Sequence, residues 1–303
     1  MSGQLAGTGF VLLAASLYAL LPIFARLAYR AGMEPFDVLA WRFFIAAGLV
    51  TLAAPWWWRR AGLNTLSQRD TITLMGLGAL FAFVALMAFI GLANVPAPIF
   101  SPIFYTYPAM TALLGAVLGD RLPRIGWVAV GLAVAGCAVS ALSADPAAQD
   151  FNPAYLIYPL LTATSYAIYL NIVGKRTAHI PSLASAVMSI AGSLIILIIA
   201  SLGLGLASSL GMAGVTALQV PASPAAYLPI AGIALFSTVF TILLMFLGSA
   251  RSGPARAAIF STLEPLVVII LSAIILGETV GPAQLVGGAM ILASVVMLNL
   301  KGA

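Results

Sequence analysis

From residue 5 to residue 300 the chain is a succession of apolar runs about twenty residues long, broken for the most part by short connections. About twenty residues is the helix length that crosses the hydrocarbon core of a bilayer. Backbone N–H and C=O groups cannot be left unpaired in lipid, so such runs fold as helices. Ten are read, at 5–28, 37–57, 71–92, 96–118, 124–142, 154–173, 182–204, 226–249, 254–276 and 281–300. Only 7% of the residues are charged and 62% are hydrophobic, where soluble domains carry about 25% charged residues. The expected fold is an all-α integral membrane protein with ten transmembrane helices. The uncharged stretch 205–225, rich in Gly, Ala and Ser, is the long connection, with room for a short interfacial helix.

The same composition excludes several functions. The net charge of +5 is spread singly or in pairs between apolar runs, which is no nucleic-acid footprint. The single cysteine, Cys137, lies in an apolar run and allows no intrachain disulfide. The first run lacks a basic leader and is long enough to span, so it reads as a helix of the protein and not as a cleavable signal. No Cys/His cluster could hold zinc, and no phosphate-binding loop is present, so no metal or cofactor is expected. A serine hydrolase needs a base beside its serine, and His179 is the single histidine, near a membrane edge. An intramembrane enzyme is therefore the least supported class.

Orientation follows from Lys and Arg. With the N-terminus cytoplasmic, ten of the thirteen basic residues fall on the inner side: Arg59, Arg60, Arg69, Arg121, Arg124, Lys175, Arg176, Arg251, Arg256 and Lys301. The bias places both termini inside. Arg26 and Arg30 are outer exceptions, offset by Glu34 and Asp37. Trp56, Trp57 and Trp58 read as an interfacial belt on the cytoplasmic side.

The chain also repeats itself. Shifting by 157 residues lays FVALMAFIGLANVPAPIFSPIFYTYP (83–108) on FTILLMFLGSARSGPARAAIFSTLEP (240–265), with 6 of 26 positions identical. One residue of slip later, LGD at 118–120 meets LGE at 276–278. The shift divides ten spans into two sets of five, residues 1–146 and 147–303. Five is odd, so the second copy would cross in the opposite sense. Inverted-topology repeats are an architecture of secondary transporters, with the substrate site near the midplane.

The runs PAMTALLGAVLGD and EPLVVIILSAIILGE, the Gly-rich helices GWVAVGLAVAGCAV and QLVGGAMILASVV, and the arginine of AWRFFIAAGL resemble the EamA-type repeats of the drug/metabolite transporter superfamily. Within it the chain is most similar to the bacterial aromatic amino acid exporters. The resemblance implies a multi-pass inner-membrane carrier exporting a small organic metabolite, hydrophobic or aromatic amino acids first among the candidates. Its partners would be that substrate, the lipid bilayer and, as a candidate coupling ion, protons. A facilitator or channel for small metabolites or drug-like cations is the alternative reading. The first copy departs from the second in having Tyr107 where the second has Glu264.

The candidate substrate-binding residues are Tyr18, Arg42, Phe83, Tyr107, Tyr166, Tyr169, Phe240 and Glu264. A carboxylate in hydrocarbon costs roughly 2.5 to 3.5 kcal/mol on insertion scales, so Glu264 either faces a hydrated cavity or is a neutral carboxyl bonded to a neighbouring helix at the Pro265 kink. Ser261 and Thr262 could bond it locally. Arg42 either attracts a substrate carboxylate or lines the outer gate, or else it snorkels to the interface or pairs helices. Tyr158, Thr162, Ser165, Tyr166 and Tyr169 share one face of the sixth span, while Phe83 and Phe240 occupy matching positions in the repeats. Aromatic walls with a few polar groups suit a ligand with a ring. Asp120 and Glu278 read as caps or anchors at opposite interfaces. Prolines 22, 98, 102, 108 and 265 interrupt spans.

Overall fold

A computed structural model describes residues 2–52, 54–55, 63, 66–119, 124–142, 152–177, 179–210, 217–221, 223–252 and 263–300. Every regular element among them is helical. In chain order these are α1 (Ser2–Tyr18), α2 (Leu20–Arg30), α3 (Pro35–Leu52), α4 (Gln68–Asn94), α5 (Ala97–Phe104), α6 (Tyr107–Val117) and α7 (Arg124–Leu142). They are followed by α8 (Ile157–Arg176), α9 (Ser182–Ser209), α10 (Pro224–Ala234), α11 (Thr241–Ser252), α12 (Glu264–Leu271) and α13 (Pro282–Leu300). Among the described residues five stretches are helical, long and apolar enough to cross a membrane: Leu5–Arg30, Pro35–Leu52, Gln68–Asn94, Pro153–Val173 and Leu183–Ser209. Shorter apolar helices cover Arg124–Val139, Pro224–Phe240, Glu264–Leu276 and Pro282–Met297.

The helices break where the sequence removes a backbone donor. Pro22 has no N–H for the Tyr18 carbonyl, and α1 gives way to α2 at Ala19. Pro108 has none for the Phe104 carbonyl, and a turn at Tyr105–Thr106 separates α5 from α6. The long connection is shorter than its composition suggests, because α9 continues to Ser209 and residues 217–221 are non-helical. Trp56 to Trp58, Asp120, Ser261 and Thr262 lie outside the described residues.

Two helices contain a π-turn, in which the backbone ladder runs one residue longer than in an α-helix. One, Leu235–Phe240, joins α10 to α11; the other, Ser272–Leu276, extends α12. Side chains mark the first: Thr238 Oγ1 donates to the Ile233 carbonyl at 3.0 Å, and Thr241 Oγ1 to that of Phe236 at 2.9 Å. Both bonds reach five residues back.

Packing is densest where small residues let backbones approach, as membrane helices require. Along α4 and α9, a Cβ on Gly78 would meet the Ser193 amide at 2.7 Å, and one on Gly192 would run into the Met75 backbone. Ser193 Oγ closes the contact by donating to the Gly78 carbonyl at 2.7 Å. α13 lies along α7, α11 along α1, α8 along α4 and α6, and α10 along α2. One end of the bundle gathers the end of α2, the end of α4, the start of α5 and the segment after α12 around Arg26. A core of Leu39, Phe89, Leu92, Ile99, Ile103 and Ile233 lies beneath it. At the other end the His179 turn meets the start of α4 (Nε2 to Asp70 Oδ1, 3.1 Å), where Ser67 and Asp70 form a capping box.

Candidate functional site

A central cavity occupies the middle of the bundle as two adjoining chambers, with volumes of about 70 and about 270 Å³. The larger chamber approaches the lower end of the range for small-molecule sites, about 300 Å³. Seven residues border both: Tyr18, Arg42, Phe81, Phe104, Tyr105, Tyr166 and Glu264. The first chamber continues toward the Arg26 end past Pro22, Leu92 and Phe100. The second runs the other way, to Ala14, Ile190 and Met245.

Helix breaks supply the polar groups. Glu264 opens α12, with Pro265 behind it. An acid there meets the positive end of the helix dipole, and Tyr105, from the turn before α6, hydrogen-bonds its carboxyl. The carboxyl is deep in the protein yet only partly covered, because the cavity lies against it. Its cost in the membrane is thus offset by a helix start, a phenol and a chamber wide enough for water.

Arg42 is 5% exposed, in α3. Its Nε donates to Thr238 Oγ1 at 3.0 Å, and Tyr18 is a further hydrogen-bond partner. The guanidinium carbon lies 5.5 Å from the Phe43 ring centre and 5.9 Å from that of Phe89, within cation–π range. Snorkelling is therefore not its role: the α10–α11 strand of the bundle covers it and the π-turn hands it a hydroxyl. Tyr18 borders both chambers together with Arg42 and Glu264. No ion pair joins those two among the described residues. A cation, an acid and a phenol thus face one cavity.

The walls are aromatic. Tyr107 and Tyr166 have ring centres 4.9 Å apart, Phe104 and Tyr107 5.3 Å, and Phe104 and Tyr166 5.9 Å. Tyr169 stacks on Tyr166 at 5.8 Å and touches Phe81 at 5.4 Å. Six of the eight sequence candidates, Tyr18, Arg42, Tyr107, Tyr166, Tyr169 and Glu264, thus fall in or against one site. Phe83 and Phe240 do not: they are 47% and 40% exposed and border neither chamber. Their repeat match reflects apolar faces turned outward, which helical periodicity cannot tell from inward ones when both surroundings are apolar. On α8, Thr162 lines the first chamber while Ser165 bonds back to its own helix.

Sequence reading missed Phe81, Phe104, Tyr105 and the hydroxyls of the π-turn. Tyr105 stands two residues before Tyr107 in YTYP. Ser237, Thr238 and Thr241 form a polar cluster in an apolar run, a signal that was available. Ser237 Oγ bonds the Leu17 carbonyl at 3.0 Å and Thr241 Oγ1 that of Ala14 at 3.4 Å, tying α1 to the site.

Glu278 and the outer arginines also differ from expectation. Glu278 is more than a cap, for it pairs with Arg26 at 2.8 Å. Arg30 donates to the Leu276 carbonyl at 2.8 Å, and Asp37 accepts from the Gln219 amide at 3.1 Å. The offset imagined from Glu34 and Asp37 thus comes from the far end of the chain. No group of three or more His, Cys, Asp or Glu residues that could hold a metal occurs among the described residues.

Comparison with known proteins decides the family. The sequence profile of the EamA-like transporter family matches twice, over residues 5–142 and 153–300. The chain belongs to this family. As an EamA-like protein it is a membrane transporter of small molecules, in a family of transporters and not of enzymes. A relative from Bacillus subtilis, described as the uncharacterized transporter YcbK, is 30% identical over 286 residues, 93% of this chain and 89% of the relative. The uncharacterized inner membrane transporter YedA of Escherichia coli is 24% identical over 89% of this chain and 84% of its own length. A solved crystal structure shares the EamA-like chain's fold at a TM-score of 0.59 and 17% identity, covering 99% of this chain and 97% of the other.

Proposed function

We propose that this chain is a secondary carrier that moves small zwitterions with an aromatic or hydrophobic body, aromatic amino acids first among them, outward by alternating access. One observation carries the reading: Arg42, Glu264 and Tyr18 border a single aromatic-walled cavity, with no ion pair between the first two. A guanidinium matches a carboxylate geometrically, a carboxylate matches an ammonium, and the rings suit an aromatic side chain.

Alternating access asks for two similar arrangements, and several features support an inverted pair of five-helix units, residues 1–146 and 147–303, in a ten-span chain. The family profile matches twice. Gly119 and Gly277, each before an acid, both adopt positive φ, 99° and 71°. The helix contacts also come in pairs: exchanging the units turns α1 against α11 into α8 against α4, and α9 against α4 into α10 against α3. The α7–α13 contact maps onto itself. Both termini are placed in the cytoplasm by the Lys and Arg bias, and the YedA likeness favours an inner membrane. Protons are the proposed coupling ion, with Glu264 as the exchanging group.

The test is counterflow of labelled phenylalanine in proteoliposomes, competed by other amino acids, phenethylamine, phenylpropionate and organic cations. Saturable counterflow is expected, competed best by aromatic amino acids and poorly by analogues lacking either charge. Competition by phenethylamine equal to that by phenylalanine would remove Arg42 from recognition. Flux without saturation or counterflow would make the protein a channel.

A further inference from the structure

At the Arg26 end, one carboxylate ties three elements together. Arg26 donates to Glu278 Oε1 from Nε at 3.0 Å and from Nη2 at 2.8 Å. The other oxygen, Oε2, accepts the Ala97 amide at 3.0 Å, the first N–H of α5. Arg26 Nη1 reaches the Ala93 carbonyl at 3.4 Å, and Arg30 holds the Leu276 carbonyl one turn further out. Positive φ at Gly277 turns the chain so that Glu278 points back across the bundle.

This clamp covers the cavity. Pro22 lies one turn of α2 before Arg26, and Phe100 one turn of α5 after Ala97; both line the first chamber, with Leu92 beside them. Arg26 and Ala97 belong to the first family match and Glu278 to the second. Any motion of one unit against the other at this end stretches these bonds. The two side chains are 22% and 10% exposed. An ion pair in contact with water is worth little net free energy, so it can hold a closed state without locking it. A fully buried pair would be costly to break.

We propose that Arg26, Glu278 and the Ala97 N–H form the gate at this end of the cavity, closed in this structure and broken once in each transport cycle. The proposal rests on the carrier reading above, and its first test needs no substrate. In a Cys137→Ala background, a reporter Ala88→Cys lines the first chamber below the gate. Its labelling by a membrane-impermeant methanethiosulfonate from the Arg26 face measures opening. Glu278→Gln is expected to speed labelling about tenfold, the scale on which a minor open state gains population. The exchanged pair Arg26→Glu with Glu278→Arg is expected to slow it again. An unchanged rate in Glu278→Gln overturns the proposal.

A second test keeps it falsifiable if a charge variant fails to fold. Arg26→Cys with Glu278→Cys, joined by a reducible bifunctional thiol reagent, is expected to lose counterflow and regain it on reduction. Full counterflow in the crosslinked protein overturns the gate. Absence of counterflow in the unmodified chain removes the carrier reading instead and leaves the labelling result standing.

Discussion

Two helix starts meet the cavity on equivalent terms and differ in one side chain. α6 begins Tyr107–Pro108 and α12 begins Glu264–Pro265, both with proline in the first turn. The frame is shared; the chemistry is not. Tyr107 presents a phenol packed on Phe104 and Tyr166, whereas Glu264 presents a carboxyl hydrogen-bonded by Tyr105. A helix start offers positive potential to whatever lies there, but only one of the two holds an acid to answer it. At these two matching starts the first half thus supplies a ring and the second an acid, while Arg42 from the first half and Tyr166 from the second complete the cavity.

The comparison gives predictions of decreasing size. Arg42→Ala removes the cation that faces the acid and leaves Thr238 and Tyr18 without their partner. Counterflow of phenylalanine should lose about 100-fold in apparent affinity, the upper range for a charged hydrogen bond. Arg42→Lys should restore little, since an ammonium cannot reproduce the guanidinium fork. Glu264→Gln should cost about 10-fold or more for substrates with an amine, with carboxylate-only competitors unaffected. It should also flatten the pH dependence of uptake; a pH profile left unchanged would end the proton-exchange role. Tyr107→Phe keeps the ring and should change affinity only about twofold to fivefold, on the scale of one neutral hydrogen bond. Equal losses in Tyr107→Phe and Glu264→Gln would break the asymmetry. Gly119→Ala and Gly277→Ala each put a side chain in a left-handed backbone with open space around it. Each should cost ~1 kcal/mol, visible as a lowered unfolding temperature in detergent, with Gly277→Ala alone also loosening the Arg26 clamp.

The sequence displayed the apolar helices, the proline breaks and the two turning glycines because each is a local signal. It also brought Tyr18, Tyr107, Tyr166 and Glu264 into one candidate set, since a polar or aromatic residue deep in a span has few other places to go. Arg42 was ambiguous for a physical reason. It lies seven residues after Pro35, within reach of an interface, and only the covering of α3 by α10 and the docking of Gln219 on Asp37 and Trp41 make it deep. Phe83 and Phe240 failed because lipid and protein core select the same residue types. The Arg26–Glu278 pair was invisible because 252 residues separate its partners.

The π-turn at Leu235–Phe240 constrains how this chain can change. A π-turn is an α-helix carrying one surplus residue, so deleting one position between 235 and 240 would restore regular winding with little backbone cost. Everything after it would keep its phase relative to α10, because the six residues of the π-turn sweep about the same angle as five α-helical ones. Thr241 would still face Ala14 and Gly248 would still pack on α1. What such a deletion would remove is the bulge itself, where Thr238 Oγ1 reaches five residues back to the Ile233 carbonyl and accepts from Arg42, so the cost of a lost residue here falls on the site and not on the packing of the helix.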